Sequence, residues 1–240
     1  MNGDEADGQF AKELREVEES WAFRAARYAF SKNAKECLDY LHVLEHMEPD
    51  KILRFAGELD GQEETSFEVM RLFSNCVGAA VSMRNAVNGV YGRLHRDGSF
   101  PEFNKERRKR YDRHPIIQFT IKLRDYLVHV KPIGVIYHFG IPEPTDISTT
   151  TMEVRFNLSG LDRDAKSWRD SVSVRAAKRY LEDLEGRKSK DRPTLFMHLL
   201  AFRMQVEDFY NWFAERETEL QHERLGEDAD HSASKEPPTG

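Results

Sequence analysis

Hydrophobic residues recur at three- and four-residue steps along most of the chain, which is the pattern of amphipathic helices. The first stripe predicts a long helix that ends near Met47, before Pro49. Its members are Phe23, Ala26, Phe30, Ala34, Cys37, Leu41 and Leu44. The second stripe predicts another long helix, with members Val69, Phe73, Cys76, Ala80, Met83, Val87, Val90 and Leu94. The small residues of its segment CVGAAV would let a neighbouring helix approach closely.

The second half of the chain continues this pattern after one interruption. Pro115 suits the first turn of a third helix, which should end near Val130 because the residue before Pro132 is pushed out of helical geometry. A fourth stripe, stopped at Gly186, comprises Ala165, Trp168, Val172, Ala177, Leu181 and Leu184. A fifth, opened by Pro193, comprises Leu195, Leu199, Phe202, Val206, Phe209 and Phe213. Between them, the segments GVIYHF and TTTMEVRFNL are rich in β-branched and aromatic residues and predict a β-hairpin at about 133–157.

Together these elements predict an all-α fold, a bundle of four to five long helices with a small inserted β-hairpin. The length of 240 residues suits one substantial core. We therefore assign a single helical domain to residues 16–221. Residues 1–15 are expected to form a partly ordered N-terminal segment. Residues 222–240 have almost no apolar side chains and predict a disordered tail.

The composition narrows the class of protein. The polar, acidic N-terminus does not have the pattern of a secretory signal, and every apolar run is far shorter than the ~20 residues of a membrane-spanning helix. Cys37 and Cys76 are the only cysteines and lack CxxC spacing, so they predict reduced core thiols. These features predict a soluble, cytoplasmic protein that does not bind a membrane. There is no HExxH, GxSxG or phosphate-binding glycine loop, so no metal site and no cofactor is expected.

Charge is distributed unevenly along the chain. The formal net charge is -6, but residues 71–135 hold 13 Lys and Arg against 5 Asp and Glu, and both flanking parts are net acidic. The densest basic run, KERRKRYDRH at 105–114, could guide RNA to a nearby site. Its candidate RNA-binding residues are Arg107, Arg108, Arg110 and Arg113. The alternative interpretation is a solvated surface with no ligand.

The segment RDYLVH at 124–129 lies at the end of the third predicted helix. Its arginine, polar residue, variable positions and histidine resemble the motif of the HEPN family (higher eukaryotes and prokaryotes nucleotide-binding), whose members are helical bundles. The resemblance implies a metal-independent endoribonuclease of the toxin or antiviral-defence type. It also implies a homodimer that joins two motifs in one cleft, with RNA as substrate and an antitoxin or other protein as a further partner. Some members are noncatalytic protein- or nucleotide-binding modules, which is the alternative function.

The residue types of the motif fit RNA cleavage. A histidine, with an ordinary pKa of about 6.5, serves as acid or base, which is the role predicted for His129. Arg124 offers a permanently charged fork to phosphate oxygens. One histidine cannot both accept the 2'-hydroxyl proton and protonate the leaving oxygen, so a second His129 from a symmetric partner would supply the missing group. Asp125 could orient the imidazole, and Tyr126 is a further candidate for binding RNA.

Helix geometry supplies the alternative to a catalytic pair. Five residues on an ideal helix rotate side chains by about 140°, so Arg124 and His129 converge only if the arginine reaches round or the helix loosens. Under the structural interpretation, His129 interacts with free carbonyl groups of the last helical turn. Arg124 then pairs with a carboxylate.

Overall fold

The computed structural model of the protein describes residues 3–95, 97–130, 134–140, 147–161, 168, 171–188 and 191–233. Within these residues the chain forms seven α-helices and one antiparallel pair of strands. The helices are α1 (Gly3–Glu45), α2 (Pro49–Gly57), α3 (Leu59–Leu94), α4 (Phe103–Arg107), α5 (Pro115–His129), α6 (Val172–Gly186) and α7 (Leu195–Ala233). The strands are β1 (Val135–Gly140) and β2 (Thr151–Phe156). This architecture confirms the predicted all-α bundle with a small hairpin.

The predicted apolar stripes of α1, α3 and α7 form the centre of the bundle. Phe30 of α1, Phe73 of α3 and Phe202 of α7 are each 1% exposed or less. The rings of Phe30 and Phe202 meet edge to face with their centroids 6.4 Å apart. Ala80, one of the small residues of α3, is fully buried and lets the Tyr111 hydroxyl reach its carbonyl at 3.2 Å. This hydrogen bond joins α3 to the segment that precedes α5, while the helix that packs most extensively on α3 is α1.

The hairpin packs along the bundle. Tyr137 of β1 lies opposite Val154 of β2 in the antiparallel register. The backbone N–H of Val154 donates to Glu45 Oε1 at 3.2 Å, which ties β2 to the end of α1. The ring of Phe156 meets that of Phe73 with their centroids 5.1 Å apart. These contacts anchor β2 to α1 and α3, and β1 is held through its pairing with β2.

An aromatic cluster fixes the basic run relative to α7. Phe100 and Phe103, on either side of the start of α4, are both fully buried. The ring of Phe100 stacks on Phe213 of α7 at 5.9 Å, and the ring of Phe103 stacks on Tyr91 of α3 at 3.9 Å. Residues 108–112, which follow α4, form a π-helical turn. The basic residues therefore project from a well-anchored segment.

The structure places the start of α6 later than the sequence predicts. The Ser171 hydroxyl accepts a hydrogen bond from the backbone N–H of Val174 at 3.2 Å, and Ser171 itself has extended backbone geometry. A cap of this kind begins a helix, so the apolar stripe before it cannot belong to α6. Trp168 is buried but precedes the helix, and Ala165 lies outside the described residues.

The terminal helices also extend further than the apolar stripes. α1 begins at Gly3, inside the segment 1–15, and α7 continues to Ala233, past residue 222 where the sequence predicts a tail. Residues 234–240 lie outside the described part. A helix can continue beyond its apolar stripe when its residues favour helical backbone, as Glu, Arg, Leu and Ala do. Apolar periodicity therefore marks the packed part of each helix rather than its full length.

Candidate active site

Most of the motif lies on the solvent-facing side of α5. The face toward the bundle is formed by Ile116, Ile117, Gln118, Phe119, Thr120, Leu123 and Tyr126, all buried. The other positions after residue 120 are partly or fully exposed, and they include Arg124, Asp125, Val128 and His129. At 100° per residue, Asp125 falls between Arg124 and His129 around the helix. The separation of about 140° therefore spans the outer face, and neither residue belongs to the buried side of the helix, although Arg124 Nε is itself buried.

Arg124 and Asp125 form a weak surface ion pair. The Arg124 Nη1 and Asp125 Oδ1 atoms are 3.6 Å apart, and Lys122 Nζ approaches the other carboxylate oxygen at the same distance. Arg124 and Asp125 are each about a third exposed (32%). Pairs of this length and exposure contribute little to stability. A phosphate group could therefore replace the Asp125 carboxylate as the partner of Arg124.

His129 is the exposed last residue of α5. The backbone N–H of Val130 donates to the carbonyl of Tyr126 at 2.8 Å and closes the helix there. Among the described residues, no side-chain hydrogen bond is found for His129, and Asp125 pairs with cations instead of orienting the imidazole. Val128 is 50% exposed and Val130 is 43% exposed, so the histidine stands among exposed apolar side chains.

Tyr126 belongs to the core. Its side chain is fully buried on the face of α5 that packs against the bundle. A ring in that position cannot stack on an RNA base without leaving the bundle. The structure therefore separates Tyr126 from Arg124, Asp125 and His129, which share the outer face.

Two arginines of the basic run are held by polar groups of the protein. Arg107 Nε donates to Asp112 Oδ2 at 3.0 Å, and its Nη1 donates to Asn88 Oδ1 of α3 at 3.0 Å. Arg110 Nη1 donates to Asp208 Oδ2 of α7 at 2.8 Å. Arg110 Nε also donates to a carboxylate of α4, and its guanidinium lies 5.6 Å from the ring centroid of Trp212. Both side chains therefore connect the segment to the bundle.

Arg108 and Arg113 differ from these two arginines. Both are exposed, as are the neighbouring Lys105 and Lys109. Within the part of the chain described, no carboxylate is found paired with any of these four side chains. The basic run thus divides into two arginines with internal partners and four cations that face solvent.

The buried His198 of α7 connects this helix to α5, which carries the motif, and to α6. Its Nε2 lies 2.9 Å from Thr120 Oγ1 of α5, and its Nδ1 lies 3.1 Å from the Tyr180 hydroxyl of α6. Thr120 donates its own proton to the carbonyl of Ile116 at 2.7 Å, so its oxygen must accept from Nε2–H. Nδ1 then accepts from Tyr180. Burial lowers the pKa of His198 to about 4, so the ring is neutral near pH 7.

A second histidine cluster, around His95, lies at the C-terminal end of α3. The buried ring of His95 contacts Ser99 Oγ through Nδ1 at 3.0 Å and Glu217 Oε2 of α7 through Nε2 at 2.5 Å. These contacts tie the loop after α3 to α7. Sequence spacing gave no sign of this cluster, because Glu217 is remote from His95 along the chain.

No protein-family model matches the chain, and comparisons with curated proteins and with solved structures gave no match. In the described residues, no group of three or more His, Cys, Asp or Glu side chains is arranged to hold a metal ion. None of the described helices combines the length and the apolar character needed to cross a membrane.

Proposed function

We propose that the protein is a HEPN-like, metal-independent endoribonuclease that acts as a homodimer, with Arg124 and His129 as its catalytic residues. The observation that carries this proposal is the placement of both side chains on the outer face of α5. His129 is exposed there, and no side-chain partner is found for it among the described residues. Both groups can therefore reach a bound phosphodiester.

The proposed reaction uses one His129 from each protomer. One imidazole accepts the proton of the ribose 2'-hydroxyl, whose oxygen then bonds to phosphorus. The bond from phosphorus to the 5'-oxygen breaks, and the second imidazole, in its protonated form, donates a proton to that oxygen. The guanidinium of Arg124 binds the nonbridging oxygens as negative charge develops on them. The products are a 2',3'-cyclic phosphate and a free 5'-hydroxyl.

Exposed apolar side chains beside the motif support pairing with a second copy. Val128 and Val130 flank His129, and both are exposed. Apolar side chains that cluster next to polar functional groups are typical of protein contact surfaces. A two-fold axis near the end of α5 would bury them and bring two His129 side chains together.

We propose that the solvent-facing cations of the basic run guide RNA toward this site. A variant that replaces Arg108 and Arg113 with glutamine should bind RNA more weakly, and the salt dependence of its binding should be less steep, because each lost phosphate contact removes released counterions. Fluorescence anisotropy with labelled RNA at several salt concentrations measures both quantities.

The matched control replaces Arg107 and Arg110 with glutamine. This variant loses the same charge, but the side chains removed already have internal partners. We expect its main effect to be a lower melting temperature, with a salt slope closer to that of the wild type. Equal salt slopes for the two double variants would contradict the proposed role of Arg108 and Arg113.

Incubation of the purified protein with RNA in EDTA tests the proposed function directly. We expect cleavage to continue without divalent metal ions and to leave 2',3'-cyclic phosphate ends, which resist phosphatase until they are opened by acid. Gel analysis of end-labelled RNA detects these products. If a stable, dimeric protein leaves both structured and single-stranded RNA uncut, the nuclease proposal fails.

The ion pair between Arg124 and Asp125 favours a second candidate function. The weak pair with Asp125 leaves Arg124 able to bind an anionic group of a protein or nucleotide at the exposed end of α5 without any cleavage step. RNA binding without cleavage, or dimerisation without RNA binding, would support this module. The cleavage assay therefore separates the two functions.

A further inference from the structure

A cavity lies between the hairpin and the junction of α6 and α7. It encloses about 230 Å³. Its lining comes from four parts of the chain: β1, β2 with the turn that follows it, the end of α6, and residues 192–198. The described lining residues are Ile136, His138, Arg155, Phe156, Asn157, Leu158, Ser159, Leu184, Arg192, Pro193, Thr194, Leu195 and His198.

The ionisable groups of this lining are all basic. Arg155 and Arg192 contribute guanidinium groups, and no Asp or Glu is found among the described lining residues. The Arg155 side chain is only 10% exposed, and its Nη2 donates to Glu153 Oε2 at 2.6 Å, a carboxylate outside the lining. Glu153 therefore balances the charge of Arg155, and the net positive charge of the described lining comes from Arg192. A positive group in a cavity without lining carboxylates favours an anionic ligand.

Arg192 is positioned by neutral groups, so its charge is not cancelled by them. Its Nη2 donates to the backbone carbonyl of Glu185 at 3.1 Å, and its Nε donates to that of Arg187 at 3.3 Å. These bonds hold the guanidinium at the end of α6, where it also satisfies carbonyl groups that the helix leaves open. The orientation of Arg192 is therefore set before any ligand arrives.

The remaining lining suits a ligand with an apolar body. Phe156, Leu184 and Leu195 provide apolar contact surface. Asn157 and Thr194 add neutral hydrogen-bonding groups to the lining. Small-molecule sites commonly combine an apolar lining with a few placed polar groups of this kind.

We propose that this cavity binds a small organic anion in which a phosphate or carboxylate group is attached to an apolar ring. Arg155 and Arg192 would bind the anionic group, and the apolar side chains would enclose the ring. The volume suits a single ring with its anionic group rather than a long chain. The site does not depend on the proposed nuclease function, because neither Arg124 nor His129 lines the cavity.

Phenyl phosphate is the probe that tests this site, with binding measured by calorimetry and located by methyl NMR. We expect it to shift the methyl resonances of Ile136, Leu184 and Leu195. Inorganic phosphate lacks the ring and benzyl alcohol lacks the charge, so each should bind at least about tenfold more weakly. Benzoate distinguishes the anionic groups: binding as tight as that of phenyl phosphate indicates a carboxylate site, and weaker binding a phosphate site.

Variants separate recognition from folding. Arg192→Gln should raise the Kd for phenyl phosphate by about ten- to a hundredfold, the effect of losing a charge-assisted hydrogen bond. Arg187→Gln is the matched control, because Arg187 is a nearby exposed arginine outside the lining, and it should change the Kd less than about twofold. Ser159→Trp, at an exposed lining position, should block the cavity without disturbing the core.

The wild-type measurement keeps the proposal testable even if Arg192→Gln does not fold. Absence of methyl shifts at the three lining residues, with phenyl phosphate in excess, would overturn it. Equal affinities for phenyl phosphate and benzyl alcohol would also overturn it, because the arginines would then contribute nothing. Retained affinity in Ser159→Trp would place the binding elsewhere.

Discussion

Replacing His129 with alanine is expected to slow RNA cleavage by about 10²- to 10⁴-fold, because the change removes the general acid and base from both halves of the proposed dimer. The protein should stay folded, since His129 is exposed and no side-chain hydrogen bond is found for it in the described residues. RNA binding should change little. Single-turnover cleavage rates in EDTA, compared with the melting temperature of each protein, measure these effects.

One control and one further motif variant test whether the loss of activity belongs to the motif. His222→Ala removes another exposed histidine, on α7, and should leave the cleavage rate unchanged. Arg124→Lys keeps the charge but loses the planar fork that holds two phosphate oxygens, so its rate should also fall. Full activity of Arg124→Lys would show that only charge is needed at this position. Full activity of His129→Ala would contradict the mechanism.

Mixing wild-type and His129→Ala subunits tests the composite site. If each site needs a histidine from both protomers, activity should follow the square of the wild-type fraction, about one quarter at equal amounts. If each protomer acts alone, activity should follow the fraction itself, about one half. Light scattering at the assay concentration establishes whether the dimer is present.

The sequence predicted most of the bundle because the packed helices carry strict apolar periodicity. Pro49 and Pro115 marked helix boundaries that the structure confirms at α1 and α5. The predicted start of α6 was wrong, because the predicted apolar stripe includes Trp168, whereas the cap at Ser171 begins the helix. Trp168 is buried although it precedes α6. An apolar residue that packs into the core from outside the helix therefore lengthened the predicted stripe. The short helices α2 and α4 were missed because they contain too few turns for a stripe.

The candidate site depends more strongly on contacts that the sequence does not predict. Helical periodicity predicts that Asp125 lies one turn before His129, but not that Asp125 instead pairs with Lys122 and Arg124. Nor could the basic run be divided from the sequence. The Arg110 partner Asp208 lies on α7, and such distant contacts decide which cations remain available to a ligand. Local patterns identify candidate groups, whereas tertiary contacts determine which of them are already occupied.

The largest pH effect on stability is expected from His198. Its pKa is about 4 in the folded protein, below the ordinary value of about 6.5, because burial disfavours the charged ring. Between these values the unfolded chain binds more protons than the folded one. The stability contributed by the neutral ring is therefore complete above about pH 6.5 and is lost as the pH falls toward 4. The difference in pKa corresponds to about 3 kcal/mol in the free energy of unfolding.

Urea unfolding at several pH values between 4 and 7 measures this loss. His198→Gln cannot titrate, so its stability should fall less steeply with decreasing pH than that of the wild type, even if it is less stable at pH 7. Thr120→Val is the matched control, because it removes the acceptor of Nε2–H but keeps the titrating ring. That variant should retain the steep dependence on pH. Parallel pH curves for the wild type and His198→Gln would show that protonation of another group limits stability in acid.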